Sequence, residues 1–145
     1  MTVDVVTEIV IARPRDPVAA FAAEPDNAVR WYENIESIEW ETPRPLAIGS
    51  RLAFVARFLG RRLSYTYEVS EHVPGERFVM STSEGPFPME TTYEWHDAAG
   101  GGTRMTLRNR GEPSGFASVA APLMARAMRR ANRNDLQALK DLLEA

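Results

Sequence analysis

Leu63-Ser64-Tyr65-Thr66-Tyr67-Glu68-Val69-Ser70 is the stretch on which the fold turns. Large apolar or aromatic residues alternate with small or polar ones, so an extended chain here has one oily face and one wet face. A period of two is the mark of a half-buried β-strand. The pattern recurs on both sides. Upstream, Leu52, Phe54, Ala56 and Phe58 alternate with Ala53, Val55 and Arg57, and Gly60-Arg61 reads as the turn between the two runs. Downstream come Phe78, Met80 and Thr82, then Phe87, Met89, Thr91, Tyr93 and Trp95 alternating with Glu90, Thr92 and Glu94. After the Gly100-Gly101-Gly102 turn, Met105, Leu107 and Asn109 alternate with Arg104, Thr106, Arg108 and Arg110. Connections this short make hairpins, so the sheet is antiparallel. Glu90 and Glu94 on the wet face are expected to sit across from Arg104, Arg108 or Arg110, in exposed pairs worth about 0.2–1 kcal/mol each.

Working outward, Val3, Val5, Thr7, Ile9 and Ile11 form one face of a first strand. Asp16 as N-cap and Pro17 at the first helical position predict a short helix through Val18 to Ala23. A second short helix is expected around Asp26 to Tyr32, with Pro25 near its start. Pro/Gly clusters at Pro43 to Pro45, Pro74-Gly75, Gly85-Pro86 and Pro113 to Gly115 mark loops. The last thirty residues change period. Phe116 to Leu143 reads as a helix, kinked or restarted at Pro122, with Met124, Met128, Leu139 and Leu142 on one stripe. Arg126, Arg129, Arg130, Arg133 and Lys140 fall on the other face. Such a helix needs a partner for its stripe, and the concave face of the sheet is the natural one. The result is one α+β domain spanning residues 1–145: a strand, two short helices, about six more strands and a long helix.

Composition narrows the function. The chain has 145 residues, 44% hydrophobic and 26% charged, enough for a real core. Its net charge of −3 gives no overall drive toward nucleic acid or an anionic membrane. The four arginines of the last helix form a local basic face, read as solvated unless a membrane or an acidic partner meets it. There is no cysteine, and the two histidines, His72 and His96, lack metal-ligand spacing. GxSxG, P-loop and GxGxxG motifs are absent, and the triple glycine precedes a strand rather than a helix. No cofactor is implied. The opening MTVDVVTEIVIARP lacks a basic n-region, and no run reaches 18 apolar residues, so a cytoplasmic protein is expected. A homodimer is compatible with the sequence.

This order of elements resembles the START-like (SRPBCC) superfamily, which includes the polyketide cyclase/dehydratase-like bacterial proteins. The features that carry the resemblance are spread along the chain. They are Ala12-Arg13-Pro14 with Val18 and Phe21; Asn27 to Trp31 followed by Ile35 and Ile38; and Ile48-Gly49. Tyr67-Glu68-Val69-Ser70-Glu71 then leads to Pro74 and Arg77-Phe78. Gly102-Thr103 starts the last strand, and Leu136, Leu139-Lys140 and Leu142-Leu143-Glu144 close the last helix. The resemblance implies a helix-grip fold, in which a curved antiparallel sheet of about seven strands wraps the C-terminal helix. It also implies a cavity for a lipid-, sterol- or polyketide-like molecule between them.

On that reading the inward faces become a lining: Phe54, Phe58, Tyr65, Tyr67, Phe78, Met80, Phe87, Met89, Tyr93, Trp95 and Met105, with Met124 and Met128 from the helix. The same residues are equally what a filled core would use. Methionine and aromatic side chains with a few hydroxyl tips suit an apolar ligand with one or two polar atoms. Three polar residues share the apolar parity: Asn109, Thr7 and Thr91. Asp135 falls inside the helical stripe and Asn132 at its edge. A buried carboxylate is costly unless it is paired. Asp135 is therefore either a structural acceptor, for a tyrosine hydroxyl, an arginine or a strand backbone, or a ligand anchor or general acid/base with Tyr93 and Asn109. Trp31 is expected to pack beneath the short helices. Three functions remain in view: binding of a small hydrophobic or aromatic ligand, polyketide cyclase/dehydratase-type catalysis in the same cavity, and a co-chaperone-like interaction module.

Overall fold

The computed structural model describes residues 2–85, 87–112 and 120–145. Seven strands form one antiparallel sheet: β1 (Val3–Ile11), β2 (Ile35–Trp40), β3 (Arg51–Phe58), β4 (Arg61–Val73), β5 (Arg77–Glu84), β6 (Met89–Asp97) and β7 (Thr103–Gly111). Their spatial order is β1-β7-β6-β5-β4-β3-β2. Every neighbour but the β1–β7 pair is a neighbour in sequence, as hairpin connections require. Helices α1 (Arg15–Ala23) and α2 (Ala28–Trp31) link β1 to β2, and α3 (Ala121–Glu144) packs along β1. The antiparallel sheet is the one the alternation predicts, and with α3 against it this is the helix-grip architecture that the resemblance implies.

The strand faces fall as the period demands. In β6, Met89, Thr91, Tyr93 and Trp95 are buried, and in β7 Thr103, Met105, Leu107 and Asn109 are. Glu90 lies opposite Arg110 and pairs with it at 3.2 Å. Glu94 lies opposite Thr106 and instead reaches Arg77 of β5, at 3.0 Å. The β4–β5 register shifts between Val69 and Glu71, and an irregularity of this kind bends a strand and increases its local twist. Past it, His72 stands opposite Phe78, with the two rings edge-on.

Four local expectations are corrected. Asp16 is not the N-cap of α1. The helix begins at Arg15 after Pro14, whose extended backbone turns the chain inward and whose carbonyl accepts from the Val18 N–H at 3.3 Å. Asp16 lies in the first turn, where a negative charge suits the helix dipole. Pro122 does not kink the last helix. It lies in the first turn of α3, where its missing N–H costs nothing. Phe116 and the Pro113–Gly115 turn lie outside the described residues. Leu142 is 38% exposed, and Leu136 takes its place in the core beside Leu139. The last turn of α3 reaches the end of β1, where polar contacts replace apolar ones. Lys140 Nζ donates to the Val10 carbonyl at 2.7 Å, and the Ala12 N–H donates to Glu144 at 2.8 Å. Lys140 is therefore half-buried rather than part of a solvated face.

Trp31, Trp95, Phe78, Ile11, Leu52, Met105 and Leu107 fill the centre beneath α1 and α2, with Leu136 and Leu139 of α3. Among the described residues no helix is long and apolar enough to cross a membrane.

Candidate ligand-binding cavity

Sheet and helix do not meet along their whole length. Between the first half of α3, the α1–α2 segment and the concave face of the sheet lies a cavity of about 170 Å³, open on one side. The strand parity explains its lining. Phe54, Phe58, Tyr65, Tyr67, Phe78, Met80, Met89, Tyr93 and Asn109 line it from the sheet, Phe87 from the β5–β6 connection rather than from the strand its alternation predicts, and Met124 and Met128 from α3. Phe58, Leu63, Phe87 and Met128 are half-buried and form part of the rim. Two of the inward residues do not line it. Met105 and Trp95 face each other in the β6–β7 register, at the end of the sheet that α1 covers, and both are buried in solid core.

Sequence reasoning misses other lining residues. Ala22, Ala23 and Ala28 make a thin wall where larger side chains would fill the space. Tyr32 follows the four-residue α2, where no period points to a direction. Its hydroxyl nevertheless reaches into the cavity wall and hydrogen-bonds the Tyr93 hydroxyl. The alanine-rich run 19–23 is the available signal for the first group, and Tyr32 has none.

The polar atoms fall into two groups. On the sheet, Thr91 Oγ1 donates to Asn109 Oδ1 at 2.6 Å, and Thr91 lies close enough to Tyr67 to act against the effect of burial on its hydroxyl. Nearer α3, the Tyr32–Tyr93 pair lies within the electrostatic reach of Asp135. Burial raises all three tyrosine hydroxyls above their ordinary value, so they stay protonated and can donate. Asp135 finds its partner in a backbone group. Its Oδ1 accepts from the Glu33 N–H at 2.9 Å, tying the α2–β2 connection to α3. Neither a tyrosine, an arginine nor a strand supplies that bond. Burial pushes the Asp135 carboxyl up to about 7, against the lowering effect of the Glu33 N–H. One turn earlier, Asn132 is buried in the lining, and its Nδ2 has no partner among the described residues. Thr7, by contrast, is spent on the Leu107 carbonyl, at 3.4 Å.

This arrangement can hold an apolar body, donate hydrogen bonds to oxygen atoms and exchange a proton near neutrality. Among the described residues no cluster of three histidine, cysteine or carboxylate side chains could hold a metal ion.

The family model described as polyketide cyclase / dehydrase and lipid transport matches residues 2–144. The chain belongs to that family. Solved structures share the family's fold. A START superfamily protein from Mycobacterium smegmatis is 12% identical, with 97% of each chain covered and a TM-score of 0.83. The ZhuI aromatase/cyclase from Streptomyces sp. R1128 is 16% identical over 99% of this chain and 94% of that one, with a TM-score of 0.81. A protein from Thermus thermophilus is 22% identical over 95% and 94%, with a TM-score of 0.82. No curated protein matches the sequence. Membership in the polyketide cyclase / dehydrase and lipid transport family supports a role in binding hydrophobic molecules or in cyclase chemistry. The family spans both carriers and enzymes by its own description, so the choice between them rests on the site.

Proposed function

We propose that this protein binds a compact apolar or aromatic ligand carrying oxygen functions, polyketide-like or lipid-like, in the cavity between sheet and α3. The observation that carries the reading is the pairing of an apolar, methionine- and aromatic-lined cavity with tyrosine hydroxyls held protonated at its wall. The rings of Phe54, Phe78 and Tyr67 take the flat body, and Met80, Met89 and Met128 adapt to its edges. Tyr67 and Tyr93 donate to its carbonyl or hydroxyl oxygens. Native mass spectrometry of freshly purified protein, with denaturing extraction of any adduct, tests the idea. Titration with aromatic polyketides and fatty acids, followed by tryptophan fluorescence, extends it. Tyr67→Phe is expected to weaken binding about fivefold to tenfold, the worth of one hydrogen bond. A clean apo mass together with failure across the whole panel overturns the reading.

A second reading has its own observation: a buried carboxyl that titrates near 7 lines the same cavity. In a poly-β-ketone, the ionised Asp135 would take a proton from a carbon between two carbonyls. The resulting enolate carbon attacks a carbonyl carbon further along the chain and forms the C–C bond. Tyr93 donates a hydrogen bond to the oxygen that gains charge, and the proton held by Asp135 passes to that alkoxide. Loss of water then gives the dehydrated ring. Under this reading Asp135→Asn abolishes turnover while ligand affinity stays within about twofold. Equal turnover in the variant removes Asp135 from the chemistry.

A further inference from the structure

The polar groups that line the cavity are unequally committed. On the sheet, Thr91 Oγ1 is spent on Asn109 Oδ1. The Tyr32 and Tyr93 hydroxyls bond each other, which uses one hydrogen of the pair and leaves one. On α3 the situation differs. Asn132 is 4% exposed and lines the cavity, and its Nδ2 has no partner among the described residues. Asp135, 2% exposed and in the same lining, commits Oδ1 to the Glu33 N–H. Residues three apart on a helix share a face, so the two side chains stand one turn apart on one wall.

A buried amide N–H without an acceptor is costly, and an apolar side chain of the same size would carry no such cost. The fold supplies no acceptor among the described residues, and the cavity is the side from which one can arrive. The surroundings decide the chemistry of that acceptor. Tyr67 and Tyr93 line the same space with hydroxyls that burial keeps protonated, so the neighbouring tyrosines are donors. An oxygen with lone pairs and no hydrogen of its own fits best among donors, and a carbonyl is such an oxygen. A carboxylate has lone pairs too, but it would set a second acid beside Asp135 in a water-poor wall. Two negative charges repel strongly there, and one of them has to take up a proton.

We propose that Asn132 is the specificity-determining residue of the cavity: its amide donates to an uncharged ketone or ester oxygen of the ligand, while Asp135 one turn away disfavours free carboxylates. The proposal rests on the ligand-binding reading and narrows it, from oxygen-bearing apolar molecules in general to neutral carbonyl compounds. Fatty acids with a free head group fall outside it, and their esters fall inside.

Equilibrium dialysis with three probes that share one ring system tests this. They are methyl β-naphthyl ketone, its isopropenyl analogue, in which a methylene replaces the carbonyl oxygen, and β-naphthoate. The measurement is made at about pH 8, where Asp135 is mostly ionised. Asn132→Leu should bind the ketone about tenfold more weakly than wild type does, the loss of one hydrogen bond, and the isopropenyl analogue within about twofold. The ratio of the two affinities is the readout, so a general loss of fit cancels, and Asn132→Ala should shift that ratio in the same direction. Leucine removes an unpartnered amide, so it should not lower the melting temperature. The stretch of a carbon-13-labelled carbonyl should lie at lower frequency on wild type than on Asn132→Leu. β-Naphthoate should bind wild type at least about tenfold more weakly than the ketone and should gain affinity in Asp135→Asn. An unchanged ketone-to-isopropenyl ratio in both Asn132 variants overturns the role of Asn132 and leaves the ligand reading standing. Naphthoate bound as tightly as the ketone, or no gain in Asp135→Asn, overturns the exclusion of carboxylates. Failure of wild type to bind either neutral probe counts against the cavity reading itself, and the proposal falls with it.

Discussion

Along the C-terminal half of α3, Leu136 and Leu139 are fully buried, and the helix end is tied to the Val10–Arg13 segment by Lys140, Glu144 and a 2.7 Å bond from Arg13 to the Leu143 carbonyl. Along its N-terminal half, Met124, Met128 and Ala131 face an open cavity, and the Asn132 amide nitrogen has no partner among the described residues. One helix thus does two jobs against one sheet. The first half gives up packing and polar satisfaction where the second half has both. A site that must accept a ligand cannot also be a filled core, so stability has to come from the far end of the same element. The largest effect should therefore fall on the far end. Leu139→Ala should cost about 2–5 kcal/mol in urea denaturation, because a fully buried side chain is deleted from tight packing. A cost below about 1 kcal/mol would mean that the anchored half is as loose as the cavity half.

Asp135 sits between the two halves and sharpens the contrast through pH. Its carboxyl is raised to about 7 in the folded protein from an ordinary value of 3.8, so the folded state holds its proton more tightly than the unfolded chain does. Stability from this group is fully present below about pH 4 and is lost as pH rises to about 7, with an upper bound of about 4 kcal/mol. Asp4, Asp26, Glu36 and Glu144 are shifted the other way by arginine, lysine and backbone partners. Their contribution disappears only as pH falls through their lowered values, below the window that Asp135 governs. Asp135→Asn can still accept from the Glu33 N–H through its amide oxygen. Denaturation at about pH 4.5 and about pH 7.5 should show wild type weaker at the higher pH and the variant nearly level. An unchanged difference in the variant would assign the slope to another group.

The same contrast sets what can be read from the sequence. The strands are legible because a period of two leaves no choice of face, and Tyr65, Tyr67, Met89 and Tyr93 line the cavity for that reason alone. Parity says which face a residue occupies but not whether that face is filled. Met105 and Trp95 share the parity of Tyr93 and yet are solid core, because α1 closes that end of the sheet. Leu142 shares the helical phase of Leu139 and yet is exposed, because the helix runs on to the end of β1. Tyr32 is invisible to such patterns. A residue after a four-residue helix has no periodicity, and its direction is set by the chain reversal into β2. The partner of Asp135 is illegible for a related reason: it is the backbone of Glu33, whose N–H carries no sequence information.

On the sheet side of the cavity, polar groups are matched to one another, unlike those of α3. Thr91→Val keeps the side-chain volume and removes the hydroxyl that donates to Asn109. Leaving a buried acceptor without its donor should cost about 1–3 kcal/mol. Thr91→Ser, which keeps the hydroxyl, should recover most of the polar part of that loss. If both substitutions cost the same, the contact is packing and not hydrogen bonding.

The smallest stability effect should come from Met128→Ala, and it is the one that breaks or completes the comparison. Met128 lies on the same helix as Leu139, carries a comparable apolar volume and falls on the same stripe by phase. Packing logic applied uniformly along α3 would assign the two truncations similar costs. The cavity reverses that expectation. Met128 is half-buried at the rim, so its removal widens an existing opening instead of creating a sealed void, and the cavity term that makes core truncations expensive is missing. Denaturation should register under about 1 kcal/mol. Titration with an apolar ligand should register more, because the thioether that would close over the ligand's edge is gone. A variant that loses several kcal/mol in stability, like Leu139→Ala, would show that the first half of α3 is core after all. A variant that keeps both its stability and its affinity would move the ligand deeper, toward Tyr67 and Thr91, and away from the helix.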